Sequence, residues 1–175
     1  CRVWRQVVLT HTPVQVCLRH SDTGGRALAW ACHNLGDWSL RLKIPQLLLS
    51  EPMSRGLATA CAGGSLRQID VRAPLSAATG NKLLRLVEQA ESSRLVSLEM
   101  AGSFLGTPGG HGLAACLRTN RAVVTYGFAS NFVGPEAGAS IAASLGQAQC
   151  AVTSLDLRRN GLSTAAQALG EIGRA

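Results

Sequence analysis

Aromatic side chains are scarce in this chain of 175 residues, which contains only three Trp, one Tyr and three Phe. Acidic residues are also few, ten against seventeen Lys and Arg, and the formal net charge is therefore +7. No apolar run approaches the roughly 18 residues that span a bilayer, and no N-terminal stretch has the apolar core of a secretory signal. These absences argue against secretion and membrane anchoring, and they predict an intracellular protein, cytoplasmic or nuclear.

Cysteine and histidine lack the spacing of reactive or ligating sites. The six cysteines are scattered without a single C-x-x-C pair, and the four histidines do not fall at the spacing of metal ligands relative to them. We therefore expect free thiols in a reducing compartment, no metal and no cofactor.

Catalytic motifs are missing as well. The glycine-rich segment 106–112 is the nearest imitation of a phosphate-binding loop, but it lacks the G-K-[ST] ending that places a Lys on the phosphates. The chain has neither a G-x-S-x-G elbow nor an H-E-x-x-H pair. The sequence thus predicts a structural use of segment 106–112 and a protein that is not an enzyme.

A spaced apolar pattern is present instead, and it recurs six times at intervals of 26 to 29 residues. The copies start near residues 13, 39, 66, 95, 123 and 152. The two clearest copies hold Val123, Tyr126, Phe128, Asn131 and Val133, then Val152, Leu155, Leu157, Asn160 and Leu162. The first half of each copy alternates with period two and the second half repeats at three and four residues, which predicts a strand followed by a helix. In the copy counted from Ser39, the predicted inward positions are Leu42 and Ile44.

The pattern L-x-x-L-x-L-x-x-N-x-L resembles the leucine-rich repeats of the ribonuclease-inhibitor class. This resemblance covers residues 13 to about 173 and implies an α/β solenoid over 13–175, with a curved parallel sheet on the concave side and helices on the convex side. It also implies that the Asn of each repeat bonds backbone groups of the turn. Only Asn131 and Asn160 fill that column, and the other copies have Ser21, Leu47, Pro74 and Ser103 there.

The first twelve residues do not fit the repeat. Residues 1–12 have apolar residues on one side of a possible helix, which predicts a lead-in or cap over the first repeat. The alternative is the end of an F-box, which the run Cys1, Trp4, Arg5 is similar to. The start at Cys1 and the absence of a polar cap near Ala175 further suggest a piece of a longer protein.

The predicted concave face supplies the candidate binding residues, because side chains between the apolar columns of a strand point away from the core. The charged candidates for partner contacts are Arg19, Arg41, Lys43, Arg67, Asp70, Arg72, Glu99, Asp156 and Arg158. One predicted column combines Lys43, Asp70, Glu99 and Asp156 with small residues. A mixed face of this kind suits a protein partner better than a polyanion.

The leading interpretation is a non-enzymatic module that binds a protein through the concave sheet face and adjacent loops. One alternative is the substrate-recognition arm of an F-box ubiquitin-ligase subunit. Another is a basic solenoid that holds nucleic acid, although the Arg residues are spread along the chain and few aromatics are available to stack on bases. Six strands give a floor on the order of 400 Å², about half of the roughly 800 Å² of a standard interface. We therefore expect the loops after the strands, or further repeats, to take part in binding.

Overall fold

The fold alternates strands and helices along the chain. The computed structural model describes residues 14–18, 24–42, 50–71, 74–90, 94–163 and 165. The elements in these residues are β1 Val14–Leu18, α1 Gly24–Asn34, β2 Trp38–Leu42, α2 Glu51–Ala62, β3 Leu66–Val71, α3 Ala77–Glu88, β4 Ser97–Glu99, α4 Gly106–Thr119, β5 Thr125–Gly127, α5 Gly134–Leu145 and β6 Ser154–Asp156. All six strands pair in parallel, in the order β1-β2-β3-β4-β5-β6. This confirms the predicted α/β class and is consistent with a solenoid-like arrangement.

One row of apolar side chains crosses the whole sheet on its inner face. The strand register aligns Val16, Leu40, Ile69, Leu98, Tyr126 and Leu155 on neighbouring strands. The first five of these are buried, and they join helix residues such as Leu84 and Leu113 in one hydrophobic core. Each such aliphatic side chain contributes about 1.5–3 kcal/mol when it is fully buried. The helices therefore cover one face of the sheet and leave the other open.

The helices form where apolar residues recur at three and four positions. In α3, Leu83, Leu84 and Val87 are buried on the side that faces the core. The Ser76 hydroxyl accepts a hydrogen bond from the Thr79 backbone N–H at 3.2 Å, which satisfies one of the free donors at the helix start. The sequence thus specifies both where this helix begins and which side it buries.

Small residues allow α3 and α4 to lie close together. A Cβ atom at Gly80 or at Gly109 would overlap the side chain of Leu105, which is completely buried. The glycine-rich segment 106–112 forms the first turns of α4, and its Gly109 lies in this contact. The segment therefore contributes to helix packing, which is consistent with its predicted structural use.

The register of β2 differs from the prediction by two residues. The structure pairs Leu40, rather than Leu42, with Ile69, while Leu42 pairs with Val71. Trp38 explains the difference, because it fills the buried position opposite Leu66 and donates from its indole Nε1 to the Ser65 hydroxyl at 3.0 Å. A shift of two residues leaves every side chain on the same face, so the alternation of apolar residues could not reveal it.

Candidate functional site: the open sheet face and its carboxyl edge

Two columns of side chains lie on the sheet face opposite the helices, which we call the open sheet face. The first column contains Gln15, Ser39, Gln68, Ser97, Thr125 and Ser154. The second column contains Cys17, Arg41, Asp70, Glu99, Gly127 and Asp156. Short polar side chains dominate the first column, and charged side chains dominate the second.

Arg41 and Asp70 form an ion pair between neighbouring strands in the second column. The Arg41 Nε atom donates to Asp70 Oδ2 at 2.9 Å, and only 5% of the Asp70 side chain is exposed. The sequence predicted Lys43 in this column, and that prediction is wrong in register because Arg41 is the residue that faces Asp70. The two-residue shift of β2 is the cause.

Glu99 uses the space that Gly127 leaves open. A Cβ atom at Gly127 would overlap the Glu99 carboxylate, so the Glu99 side chain lies over the next strand, β5. Asp70 is on the opposite neighbouring strand, β3, and the arrangement separates two carboxylates that share a column. The small residue at 127 therefore sets the direction of Glu99.

Asp156 binds Arg158 within the turn that follows β6. The Arg158 guanidinium donates to both carboxylate oxygens, from Nε to Oδ1 at 3.0 Å and from Nη2 to Oδ2 at 2.7 Å. The Arg158 backbone N–H also donates to Oδ1 at 3.0 Å. The side-chain hydrogen bonds from Arg158 lower the pKa of Asp156 below its ordinary value. This pair is solvent-exposed on its Arg158 side.

Arg67 lies apart from these charged residues. It falls at the irregularity where Trp38 pairs with Leu66 and Ser39 pairs with Gln68, so Arg67 has no direct partner in β2. Its guanidinium donates to Asp37 Oδ2 at 2.9 Å, near the beginning of β2 and β3. This hydrogen bond lowers the pKa of Asp37. The structure therefore places Arg67 at the amino edge of the sheet, outside the second column.

Three predicted contact residues, Arg19, Lys43 and Arg72, lie outside the described residues. Residues 1–12, which carry the resemblance to an F-box, lie outside them as well. The partner-binding role of those three residues and the interpretation of residues 1–12 stay predictions.

Asn131 holds the turn that follows β4 to the turn that follows β5. Its Oδ1 atom accepts hydrogen bonds from the backbone N–H groups of Ser103 at 3.0 Å and Leu105 at 3.4 Å. Its Nδ2 atom donates to the carbonyl oxygens of Met100 at 2.8 Å and Phe128 at 3.0 Å. Because Asn131 is fully buried, these bonds satisfy backbone groups that water cannot reach.

Asn160 repeats this arrangement one strand further along. Its Oδ1 atom accepts from the backbone N–H groups of Asn131 at 2.8 Å and Val133 at 3.5 Å. Its Nδ2 atom donates to the carbonyl oxygens of Phe128 at 2.8 Å and Leu157 at 2.9 Å. The predicted role of the asparagine column is therefore confirmed at both asparagines, and the turns after β4, β5 and β6 stack in register.

These three stacked turns share an unusual backbone conformation. Positive φ angles recur at equivalent positions, which are Gly102, Phe104 and Gly106, then Ser130, Phe132 and Gly134, then Arg159, Gly161 and Ser163. Left-handed backbone costs about 1–2 kcal/mol for a residue with a Cβ atom, and little for Gly. The middle position holds Phe, Phe and Gly in the three turns.

Phe104 and Phe132 form an exposed aromatic pair at the carboxyl edge of the sheet. Their ring centroids are 5.6 Å apart with planes inclined by 14°, and 55% and 63% of their surfaces are exposed. Sequence reasoning missed both residues. The available signal was their position one residue after the asparagine column, where a turn projects its side chain outward. Two bulky rings in a strained, exposed turn mark this edge as a candidate contact region.

A groove of about 410 Å³ lies between α3 and α4 on the helical side of the sheet. Arg85 and Glu88 line it from α3, and Pro108 and His111 line it from α4. The His111 Nε2 atom is 3.7 Å from Glu136 Oε1. Charges of both signs occur here, in contrast to the exposed aromatic pair at the carboxyl edge.

The remaining reactive groups are dispersed. Among the described residues, no three His, Cys, Asp or Glu side chains are grouped so that they could hold a metal ion. No helix within that same part of the chain has the length and apolar character needed to cross a bilayer. Cys61 and Cys116 are free and buried, and desolvation raises the pKa of each thiol to about 12.

Comparisons with known proteins assign no family to this chain: no protein-family model matches it, and no curated protein matches its sequence.

Proposed function

We propose that this chain is a leucine-rich repeat module that binds a protein partner, without catalysis, through the open sheet face and the turns at its carboxyl edge, inside the cell. The observation that carries this proposal is the continuity of the open sheet face. Two outward columns run across all six strands without a covering helix among the described elements. A surface of this kind is what stacked strand-and-helix repeats use for binding.

The regular turns support the assignment to leucine-rich repeats. Asn131 and Asn160 make equivalent hydrogen bonds in consecutive turns, as the repeat pattern requires. The apolar row through Ile69, Leu98 and Tyr126 has the spacing expected of successive repeats. Sequence periodicity and three-dimensional register thus agree over β3 to β6.

The charges of the open sheet face favour a protein over a nucleic acid. Its second column combines Asp70, Glu99 and Asp156 with the single cation Arg41, which already binds Asp70. This column therefore offers no uncompensated cation, whereas nucleic-acid binding depends on several uncompensated Lys or Arg residues. A protein surface can match this mixture with its own charges.

The carboxyl-edge turns supply area that the strands lack. The strands alone offer on the order of 400 Å², and a stable complex buries about 800 Å² on each partner. Phe104 and Phe132 are exposed in the turns that follow β4 and β5, and they are large apolar side chains of the kind that an interface uses as anchors. Phe104 and Phe132 are therefore the specific loop residues that we expect to contribute to binding.

The test compares two Thr→Arg substitutions that place the same bulk and charge on opposite sides of the molecule. Thr125 is the fifth of the six residues of the first column, and Thr119 is exposed near the end of α4. Nuclease-treated lysate is passed over immobilised wild-type chain and each variant, and captured proteins are quantified by mass spectrometry.

We expect at least one protein to bind wild type and Thr119→Arg equally and to fall about tenfold or more on Thr125→Arg. A tenfold loss corresponds to about 1.4 kcal/mol. The same captured proteins on all three chains, or a loss confined to Thr119→Arg, would contradict the proposal. Capture from a parallel untreated lysate that disappears after nuclease treatment would favour nucleic acid.

A further inference from the structure

Phe104 and Phe132 occupy two of three equivalent places, one in each of three neighbouring turns. The N–H groups of Ser103 and Leu105 bind Asn131, and those of Asn131 and Val133 bind Asn160, so the three turns lie side by side. The residue that follows the asparagine column is Phe104 in the first turn, Phe132 in the second and Gly161 in the third. Their φ angles are 54°, 57° and 65°.

The third place in this row is open. No described atom lies within 4 Å of the position that a Cβ atom at Gly161 would occupy. Phe104 stacks against the Phe132 ring with centroids 5.6 Å apart, and Gly161 lies in the turn next to that of Phe132 on the side away from Phe104. A flat ring above Gly161 would therefore continue the stack by contacting Phe132, in the offset arrangement that aromatic pairs prefer.

The folding of the turn does not require these rings. Gly161 adopts the same conformation without a side chain, and the two phenyl rings remain more than half exposed. A bulky residue at positive φ is unfavourable, and its ring contributes little to the core when it is exposed. The aromatic pair is thus better explained by contact with another molecule than by the stability of this chain.

A positively charged residue, Arg159, lies next to the open place at Gly161. Arg159 belongs to the same turn as Gly161, is exposed, and has a φ angle of 58° at the position that Gly102 fills two turns earlier. Within the described part of the chain, no hydrogen bond or ion pair is found for its guanidinium. Arg158, in contrast, is bound to Asp156. Arg159 therefore supplies one positive charge for a ligand at this place.

We propose that an aromatic side chain of a protein partner stacks on Phe132 above Gly161, and that an Asp or Glu next to it in the partner's sequence binds Arg159. This inference rests on the proposed function and specifies the chemistry of the partner. A nucleobase has a similar flat ring, but nucleic-acid binding depends on several uncompensated cations, and Arg158 in this turn is already bound to Asp156. The local charge therefore favours a peptide.

The test uses short blocked peptides as probes and backbone amide NMR shifts of the labelled full chain as the readout. The probe is acetyl-Gly-Trp-Glu-Gly-amide, and the comparison probes replace Trp with Leu or Glu with Lys. Octathymidylate is the nucleic-acid probe. We expect the Trp-Glu peptide to shift the amides of Phe132, Arg159 and Gly161, with an affinity about two- to tenfold above that of either comparison peptide, the range expected for one aromatic contact.

Three variants separate binding from folding. Phe132→Gly removes the stacking surface. Because the equivalent position of the next turn already holds a glycine, Gly161, we expect a folded chain with a two- to tenfold loss in affinity. Gly161→Phe fills the open place with a third ring and should abolish the same shifts. Ser130→Gly is the matched control. It introduces glycine in the same turn, at the position that Gly102 occupies in the first turn, and it leaves both rings intact.

Equal peptide affinity for wild type, Phe132→Gly and Gly161→Phe would overturn this inference, as would the absence of shifts at about 10 mM peptide, where even millimolar binding is visible. Stronger binding of octathymidylate at the same amides would overturn the choice of a protein partner. If Thr125→Arg abolishes lysate capture while Phe132→Gly leaves capture and peptide binding unchanged, this inference fails alone. If the peptide binds as expected while Thr125→Arg leaves lysate capture unchanged, the proposed use of the open sheet face fails alone.

Discussion

The two halves of the sheet are held in register by different side chains. Strands β1 to β3 have five or six residues each, whereas β4 to β6 have three. In the first half, the bonds between strands are supplemented by Trp38 on Ser65 and by Arg41 on Asp70. In the second half, the buried asparagines Asn131 and Asn160 bind the turns after β5 and β6, and Asn131 also binds the turn after β4.

This difference has a functional consequence. The side chain of such an asparagine binds its own turn and the preceding turn, which lets the chain leave the sheet after three residues and still satisfy its backbone groups. The turn can then carry residues such as Phe104 and Phe132 at positive φ and present them to solvent. The first half relies on individual side-chain pairs, so its register depends on the identity of single residues.

The largest effect should come from removing an asparagine in the second half. Asn131→Ala would remove the hydrogen bonds that this side chain makes with the backbone N–H groups of Ser103 and Leu105 and with the Met100 carbonyl, while the Phe128 carbonyl would keep its bond from Asn160. At about 1–3 kcal/mol for each poorly compensated buried group, partly offset by relaxation, we expect a loss of about 3–5 kcal/mol in the free energy of unfolding. Urea unfolding measures this loss.

The control for that experiment is Asn34→Ala. Asn34 is exposed, and its Nδ2 atom donates only to the carbonyl of Trp30 in the same helix. We expect its effect to stay below about 0.5 kcal/mol. Equal losses for Asn131→Ala and Asn34→Ala would show that the asparagines do not hold the turns.

In the first half, Trp38 should contribute most to the register. Trp38→Leu would remove a completely buried ring and its hydrogen bond to Ser65, at a cost of about 2–3 kcal/mol. Trp30→Leu is the matched control, because Trp30 is 41% exposed. Thermal unfolding of both variants should show a larger drop in Tm for Trp38→Leu; a larger drop for Trp30→Leu would refute the observed register.

A smaller effect is expected from the ion pair that links β2 to β3. In a double-mutant cycle with Arg41→Met and Asp70→Asn, we expect a coupling energy of about 1 kcal/mol, because Asp70 is largely shielded from water. Cross-strand coupling would vanish if Lys43 rather than Arg41 faced Asp70. The same cycle with Lys43→Met is therefore the control, and a coupling there larger than that of Arg41 would contradict the assigned pairing.

The smallest effect concerns Asp156 in the second half. Hydrogen bonds from Arg158 lower its pKa, so the associated stability is complete above the ordinary Asp value of about 3.9 and is lost as the pH falls through the lowered value. Arg158→Gln should raise the pKa of Asp156, which NMR titration of its carboxyl carbon can follow. An unchanged pKa would show that the two side chains do not pair in solution.

Much of this fold could be predicted because apolar periodicity reports which face each residue occupies. The alternation of strand and helix and the shared column of Asp70, Glu99 and Asp156 follow from that signal, whereas the role of Asn131 was implied by the resemblance to leucine-rich repeats. The register of β2 could not be predicted, since a shift of two residues preserves both faces and only the burial of Trp38 decides it. Arg67 was misplaced because a local irregularity in strand pairing leaves no mark on the apolar pattern.

The aromatic pair shows a different limit. Phe104 and Phe132 lie outside the apolar columns, and their importance depends on backbone angles and exposure that residue types alone do not specify. The importance of Gly161 could not be predicted from the sequence either, because it depends on the position of this glycine next to Phe132 in the row of turns. The candidate contacts Phe104 and Phe132 therefore required coordinates, whereas Asp70, Glu99 and Asp156 could be placed in one column from the sequence alone.

The most direct test of the central claim is hydrogen exchange of the chain with and without a partner captured by the open sheet face. The account predicts slower exchange on binding at residues 97–106, 125–134 and 154–161, which include the open-face strands and their carboxyl-edge turns. Protection confined to the helices α3, α4 and α5, with these segments unchanged, would contradict it.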